Sequence, residues 1–131
     1  MKDQRPFGVW MDGNYATIVG PGTETGTLKV LAHIANEEVS GSPSNKNMNN
    51  QKKMHDAKFF REISSYLTNA TLLHATGTGQ AQEQFMHWLA EIPQFKKTIT
   101  EESTANEMSD ERLLEFFAEK FNMQIKIENH G

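Results

Sequence analysis

Cysteine is missing from all 131 residues. Its absence removes disulfides, thiolate metal sites and thiol nucleophiles together. Long apolar runs are missing too. None approaches the roughly 18 residues of a membrane-spanning helix, and the opening MKDQRPFG holds no apolar segment of signal-peptide type. Hydrophobic residues make up only 37% of the chain, so polar loops are expected. The five histidines, His33, His55, His74, His87 and His130, show neither H-x-H nor H-x-x-x-H spacing, which argues against a metal centre. The formal net charge of −4 argues against a surface coated throughout for nucleic acid, while a local basic patch remains compatible with it. These absences point to a soluble cytoplasmic protein with no membrane contact, no metal and no cofactor.

What is present is patterned. A chain of this length suits one domain, 1–131, with its own core. Phe7, Val9 and Met11 alternate with Gly8 and Trp10. Over 15–20, Ala16 and Ile18 alternate with Tyr15, Thr17 and Val19. Over 27–34, Leu28, Val30, Ala32 and Ile34 are expected to share one face and Thr27, Lys29, Leu31 and His33 the other. Period-2 alternation predicts three strands. The short links DGN and PGTETG make them an antiparallel meander.

The tract EEVSGSPSNKNMNNQKKMH, 37–55, is polar and Asn-rich and reads as a long flexible loop. Helical spacing follows: Phe59, Phe60, Ile63, Tyr66 and Leu67 predict one face of a helix starting near Asp56. ATLLHA, 70–75, predicts a strand buried on both faces. Ala81, Phe85, Trp88, Leu89 and Ile92 predict a second helix ended by Pro93. KKTITEEST is a weak strand. Ser109 reads as the N-cap of a third helix, with Asp110 and Glu111 in its first turn and Leu113, Leu114, Phe117 and Phe121 as its stripe. MQIKIE alternates again and reads as an edge strand. It is expected to close the domain's own sheet or to pair with a second copy in a homodimer.

The predicted class is therefore α/β: a three-strand antiparallel meander, then α-β-α-β-α, with a C-terminal edge strand. Right-handed crossovers place the fourth strand parallel to the first. This is the layout of a ribonuclease-H-like mixed sheet.

Three stretches carry a resemblance. GVWMDGNYATIV resembles the first hairpin of small bacterial proteins related to the middle domain of the archaeal and eukaryotic peptide release factor. LLHATGTGQAQEQFMHWL resembles their strand, Gly-containing loop and helix, and TANEMSDERLLEFFAEKF resembles their last helix. The similarity runs in order over about 7–121. It implies a place in translation, with the ribosome or RNA as partner. The release factor's Gly-Gly-Gln tripeptide triggers peptidyl-tRNA hydrolysis from a loop after the third strand. The equivalent loop here, SGSPSNKNMNNQKK, has no Gly-Gly-Gln. Gly79-Gln80 stands instead at a helix entry. Family members often carry a basic residue just inside that helix, where this chain has Gln82. The resemblance thus implies a non-catalytic accessory protein.

Three places could carry function. Lys46, Lys52, Lys53, Lys58 and Arg61 cluster with only Asp56 between them, on an otherwise acidic chain. Such asymmetry suits phosphate contact with RNA. Thr76, Gly77, Thr78, Gly79 and Gln80 form a strand-to-helix turn that could collect an anion, which is the alternative reading of a nucleotide- or small-ligand-binding domain. It lacks the third glycine of a dinucleotide fingerprint and the lysine of a P-loop. Asp12 could be the first carboxylate of a two-metal nuclease, with Asp56 or Glu62 as the second. ATLLHATGTG supplies no third acid, so Asp12-Gly13 reads as a hairpin turn in which Gly13 takes a positive φ.

Overall fold

The computed structural model describes residues 5–23, 26–36 and 57–125. The expected loop 37–55, Asp56, Lys46, Lys52 and Lys53 lie outside the described residues. Strand β1 (Pro6–Met11) pairs antiparallel with β2 (Tyr15–Pro21), from Gly8 against Val19 to Met11 against Ala16. Strand β2 pairs antiparallel with β3 (Thr27–Ala35), completing the meander. Helix α1 is described over 57–64. Strand β4 (Leu72–Gly77) then lies parallel to β1, Pro6 against Leu72 and Met11 against Gly77. Helix α2 (Gln80–Ala90), a 3-10 turn (Pro93–Phe95) and strand β5 (Ile99–Glu102) follow. Helix α3 (Asp110–Phe121) leads into β6 (Gln124–Ile125). The sheet order is β5-β4-β1-β2-β3-β6, with β5 parallel to β4 and β6 parallel to β3.

Alternation along β1 explains the layers. Phe7, Val9 and Met11 pack with Phe60 and Ile63 of α1 and Phe85 of α2. Trp10 packs on the opposite face with Leu113 and Phe117 of α3. Helices therefore cover both faces, which is why β1 and β4 tolerate almost no polar surface. Burying a side chain such as Ile63 or Phe117 from full exposure contributes about 1.5–3 kcal/mol.

Local signals set the helix ends. Ser109 Oγ accepts the Arg112 N–H at 3.2 Å, with Asp110 and Glu111 in the first turn. Asn122 ends α3 in the left-handed region at φ 59°, and its N–H returns to Ala118 and Glu119. Ile92 is extended ahead of Pro93, as a residue before proline must be.

Some expectations are corrected. Residues 28, 30, 32 and 34 do not share one face. Ile18 sits against Ala32 but Val19 against Val30, so Leu31 is an extra residue and β3 carries a bulge. Leu28 and Val30 join the α3 side, Ala32 and Ile34 the α1–α2 side. Tyr66 does not belong to the apolar face of α1 and is 41% exposed. Tight turn bonds, Tyr66 N–H to Ile63 and Leu67 N–H to Ser64, end the helix first. They return only Leu67 to the core. Strand β4 starts two residues later than ATLLHA suggested, because Ala70 N–H is taken by Leu67 in a turn. Within MQIKIE, Gln124 and Ile125 pair with Thr27 and Leu28 of the same chain.

Candidate functional site

Asp12 follows the last residue of β1. Its N–H donates to Tyr15 O at 3.1 Å. Its Oδ1 accepts the N–H groups of Asn14 at 2.8 Å and Tyr15 at 2.9 Å. One carboxylate oxygen thus organises the whole link, as an Asx turn does. Gly13 departs from the expected conformation. The described glycines with φ in the left-handed region are Gly26 and Gly79, and a Cβ on Gly13 would meet nothing within 4 Å. The turn is built by the aspartate rather than by glycine's freedom. Asn36 fastens it further, donating its Nδ2 to Gly13 O at 2.9 Å and its backbone N–H to Asn14 O at 2.8 Å.

The segment 76–80 divides in two. Thr76 and Gly77 belong to β4 and are buried. A Cβ on Gly77 would lie 1.9 Å from Met11 O, so β1 and β4 meet there as only glycine allows. Thr78, Gly79 and Gln80 lead into α2, and Gly79 takes φ 129°. Thr78 and Gln80 line a cleft of about 190 Å³ with Asp12, Gly13, Phe59, Phe60, Ala81 and Gln84. It opens beyond the carboxyl ends of the parallel pair β1–β4, where ligands of open α/β sheets bind. The start of α2 is partly occupied by the chain itself, because Gly79 N–H donates to Gln82 Oε1 at 2.8 Å. Gln82 is 1% exposed, and its Nε2 donates to Ser103 O at 3.1 Å. It caps α2 and ties it to the segment that follows β5. Gln82 at the third helical position makes the glutamine half of a capping box, and Gly79 has no side chain to make the other half.

His74, on the α3 face of β4, is 3% exposed. Its Nδ1–H donates to Glu101 Oε1 at 3.1 Å, and its Nε2 lies 2.8 Å from Ser103 Oγ. Ser103 Oγ in turn shares a hydrogen bond of 2.9 Å with Thr76 Oγ1. Phe116 and Phe117 present ring edges to the imidazole. Neither Ser103 nor His74 lines the cleft at Asp12. The row acts as a clamp that satisfies every ring nitrogen of a buried histidine while holding β5 to β4.

Tyr15 hydrogen-bonds through its phenol to Glu107 in the link before α3. That bond favours the neutral phenol and, with desolvation and the charges of Glu107 and Asp12, pushes the Tyr15 pKa up to about 12. Trp10 Nε1 donates to Ala105 O at 3.1 Å, and its ring leans on Tyr15 at 5.7 Å between centroids. Sequence reading missed these partners, since nothing local relates Tyr15 to Glu107.

Of the basic cluster, Lys58 and Arg61 are described. Both are exposed on α1, whose other side sinks Phe59, Phe60 and Ile63 into the core. The spacing of three residues puts the two cations on one helical surface. Among the described residues no three His, Asp or Glu side chains form a group that could hold a metal ion. None of the described helices is long and apolar enough to cross a membrane.

No family model matches the chain, and no curated protein matches it in sequence. Solved structures do match. The Thermoplasma acidophilum Pelota protein superposes with a TM-score of 0.58 at 17% identity, over 92% of this chain and 35% of its own. The archaeal translation termination factor aRF1 superposes at 0.54 and 16% identity, over 88% of this chain and 34% of its own. Archaeoglobus fulgidus Pelota gives 0.54 at 15% identity, over 92% of this chain and 32% of its own. The chain thus spans about a third of each of these proteins. At such identities the likeness is one of fold, and the fold is a mixed α/β sheet of the ribonuclease-H-like kind.

Proposed function

We propose that this chain is a non-catalytic accessory domain that associates with the ribosome or its RNA, in the manner of a release-factor middle domain without the Gly-Gly-Gln trigger. The observation that carries this reading is the exposed pair Lys58 and Arg61 on α1 of a fold shared with aRF1. The core anchors that helix through Phe59, Phe60 and Ile63, so the two cations sit on a rigid support. Lys46, Lys52 and Lys53 precede them in the chain and add charge of the same sign. Contact of this kind neutralises phosphates and releases counterions, with little demand for sequence. The acidic remainder of the chain disfavours phosphate elsewhere. Co-sedimentation of the full chain with ribosomes tests the reading. Association at low salt that is lost at high salt supports it, and absence from the ribosomal fraction at low salt contradicts it.

The cleft beside Asp12 favours a second reading, a small-ligand or nucleotide-binding domain that uses Thr78 and Gln80. Thermal stabilisation by a nucleotide, abolished when Gln80 and Gln84 are enlarged to Arg or Trp, is its signature.

A further inference from the structure

The cleft beside Asp12 is unsuited to a free anion. Among the described residues, Asp12 carries the one formal charge in its lining, and that charge is negative. The start of α2 offers little to oppose it, since Gly79 N–H is already given to Gln82 Oε1. The lining suits a planar ligand rich in donors instead. Phe59 and Phe60 are buried and give the cleft an apolar floor. Thr78, Gln80 and Gln84 stand exposed around it with hydroxyl and amide groups. Its volume of about 190 Å³ falls below the roughly 300–1,000 Å³ that a drug-sized ligand fills. One ring system fits there and a whole dinucleotide does not.

The half-buried Asp12 is engaged through one oxygen. Oδ1 accepts the N–H groups of Asn14 and Tyr15, whereas Oδ2 has no hydrogen-bond partner among the described residues. The turn needs a single acceptor, which asparagine supplies equally well. The second oxygen is left for a donor that the turn does not contain. Helix α1 indicates what carries that donor. Lys58, Phe59, Phe60 and Arg61 are consecutive and occupy about 4.5 Å of helix axis. Two exposed cations and the floor of the cleft thus share one turn. A nucleotide has the matching pair of parts, an anionic phosphate and a flat base.

We propose that the cleft receives a single unpaired guanine base of RNA, whose Watson–Crick edge donates to Asp12 Oδ2 while its flanking phosphates meet Lys58 and Arg61. The inference rests on the reading of this chain as an RNA-associated domain. It adds a base preference, which phosphate contact alone does not give. Unpaired bases of single-stranded RNA are read on this edge. Guanine presents N1–H and the N2 amino group side by side there, with no acceptor between them. Adenine and cytosine set a ring-nitrogen lone pair beside their amino group, and that lone pair meets the charge of the carboxylate. Uracil flanks its one N–H with two carbonyls. A bond from guanine to Asp12 is charge-assisted, the stronger kind. The guanine O6 is left for the amide donors of Gln80 and Gln84 or the hydroxyl of Thr78.

The test is binding of the full chain at low salt to the RNA pentamers UUGUU, UUAUU and UUUUU, read by fluorescence anisotropy. Guanosine and adenosine serve as phosphate-free probes in NMR titrations. UUGUU is expected to bind about tenfold tighter than either other pentamer. Asp12→Asn keeps the Oδ1 acceptor of the turn and replaces Oδ2 by an amide donor. It should erase the preference while the melting curve stays unchanged, an effect that a purely structural aspartate would not have. Lys58→Ala/Arg61→Ala should weaken all three pentamers alike. Equal binding of the three pentamers by the wild-type chain overturns the inference and leaves the RNA reading standing. A preference that survives Asp12→Asn overturns it as well. If no pentamer binds, guanosine decides. Saturable binding of guanosine over adenosine, lost in Asp12→Asn, upholds the guanine site while the RNA reading falls alone, and no binding overturns both.

Discussion

Gln82 bends its side chain back so that Oε1 accepts the N–H of Gly79 at 2.8 Å. A buried glutamine in the first turn of α2 thereby fills the place an anion would take, and its Nε2 holds Ser103 O. Replacing it with Ala removes both bonds and strands two backbone groups. The expected loss is about 2–3 kcal/mol, read from chemical denaturation. Gln82→Met, which restores the volume alone, should recover less than half of that.

Asp12 is predicted to be a turn-builder. Asp12→Asn keeps the Oδ1 acceptor for Asn14 and Tyr15 and should lie within about 0.5 kcal/mol of wild type. Asp12→Ala strands those two N–H groups and should cost about 1 kcal/mol or more. Gly13→Val should be mild, since that position needs no positive φ and its surroundings are open. A Gly13→Val penalty larger than that of Asp12→Ala in denaturant titration would reverse the assignment.

Tyr15 predicts an alkaline signature. Its folded pKa is raised to about 12, first by the bond to Glu107, above the ordinary value of about 10. A raised pKa means the folded state holds the proton more tightly. The stabilisation is complete below about pH 10 and disappears as pH climbs through about 12. Absorbance titration of tyrosinate in a Tyr66→Phe background should show the late ionisation, and Glu107→Gln should bring it down. A Tyr15 midpoint near 10 in the folded protein would contradict the contact.

Much of this fold can be read locally, because period-2 and helical patterns record burial on one face or two. Phe7, Val9 and Met11 against Gly8 and Trp10 announce a strand, ATLLHA one buried on both faces, and Ser109 a helix start. What resisted reading depends on partners distant in sequence. The bulge at Leu31 exists only relative to β2, since an extra residue is defined by the strand opposite. His74, Glu101 and Ser103 meet because β5 lies parallel to β4, a relation no local spacing encodes. Tyr66 keeps helical spacing, yet i→i−3 turn bonds end the helix before it. Of the candidate sites, the strand-to-helix turn at 76–80 and the tie of Asp12 to a hairpin were legible. The internal capping by Gln82 was not legible, because a glycine at the N-cap carries no capping-box signature and burial depends on the packing of α2. Lys58 and Arg61 are on α1 as the pattern implied, and Lys46, Lys52 and Lys53 lie outside the described residues.

The salt dependence of RNA binding by wild type and by Lys52→Ala/Lys53→Ala tests the central claim most directly. Contact through phosphates predicts a log–log slope of about −0.7 per phosphate on single strands. The double variant should flatten that slope by roughly one to two units and keep the same melting curve. Failure of the wild-type chain to bind RNA or ribosomes at low salt, or an unchanged slope in the variant, would contradict the account.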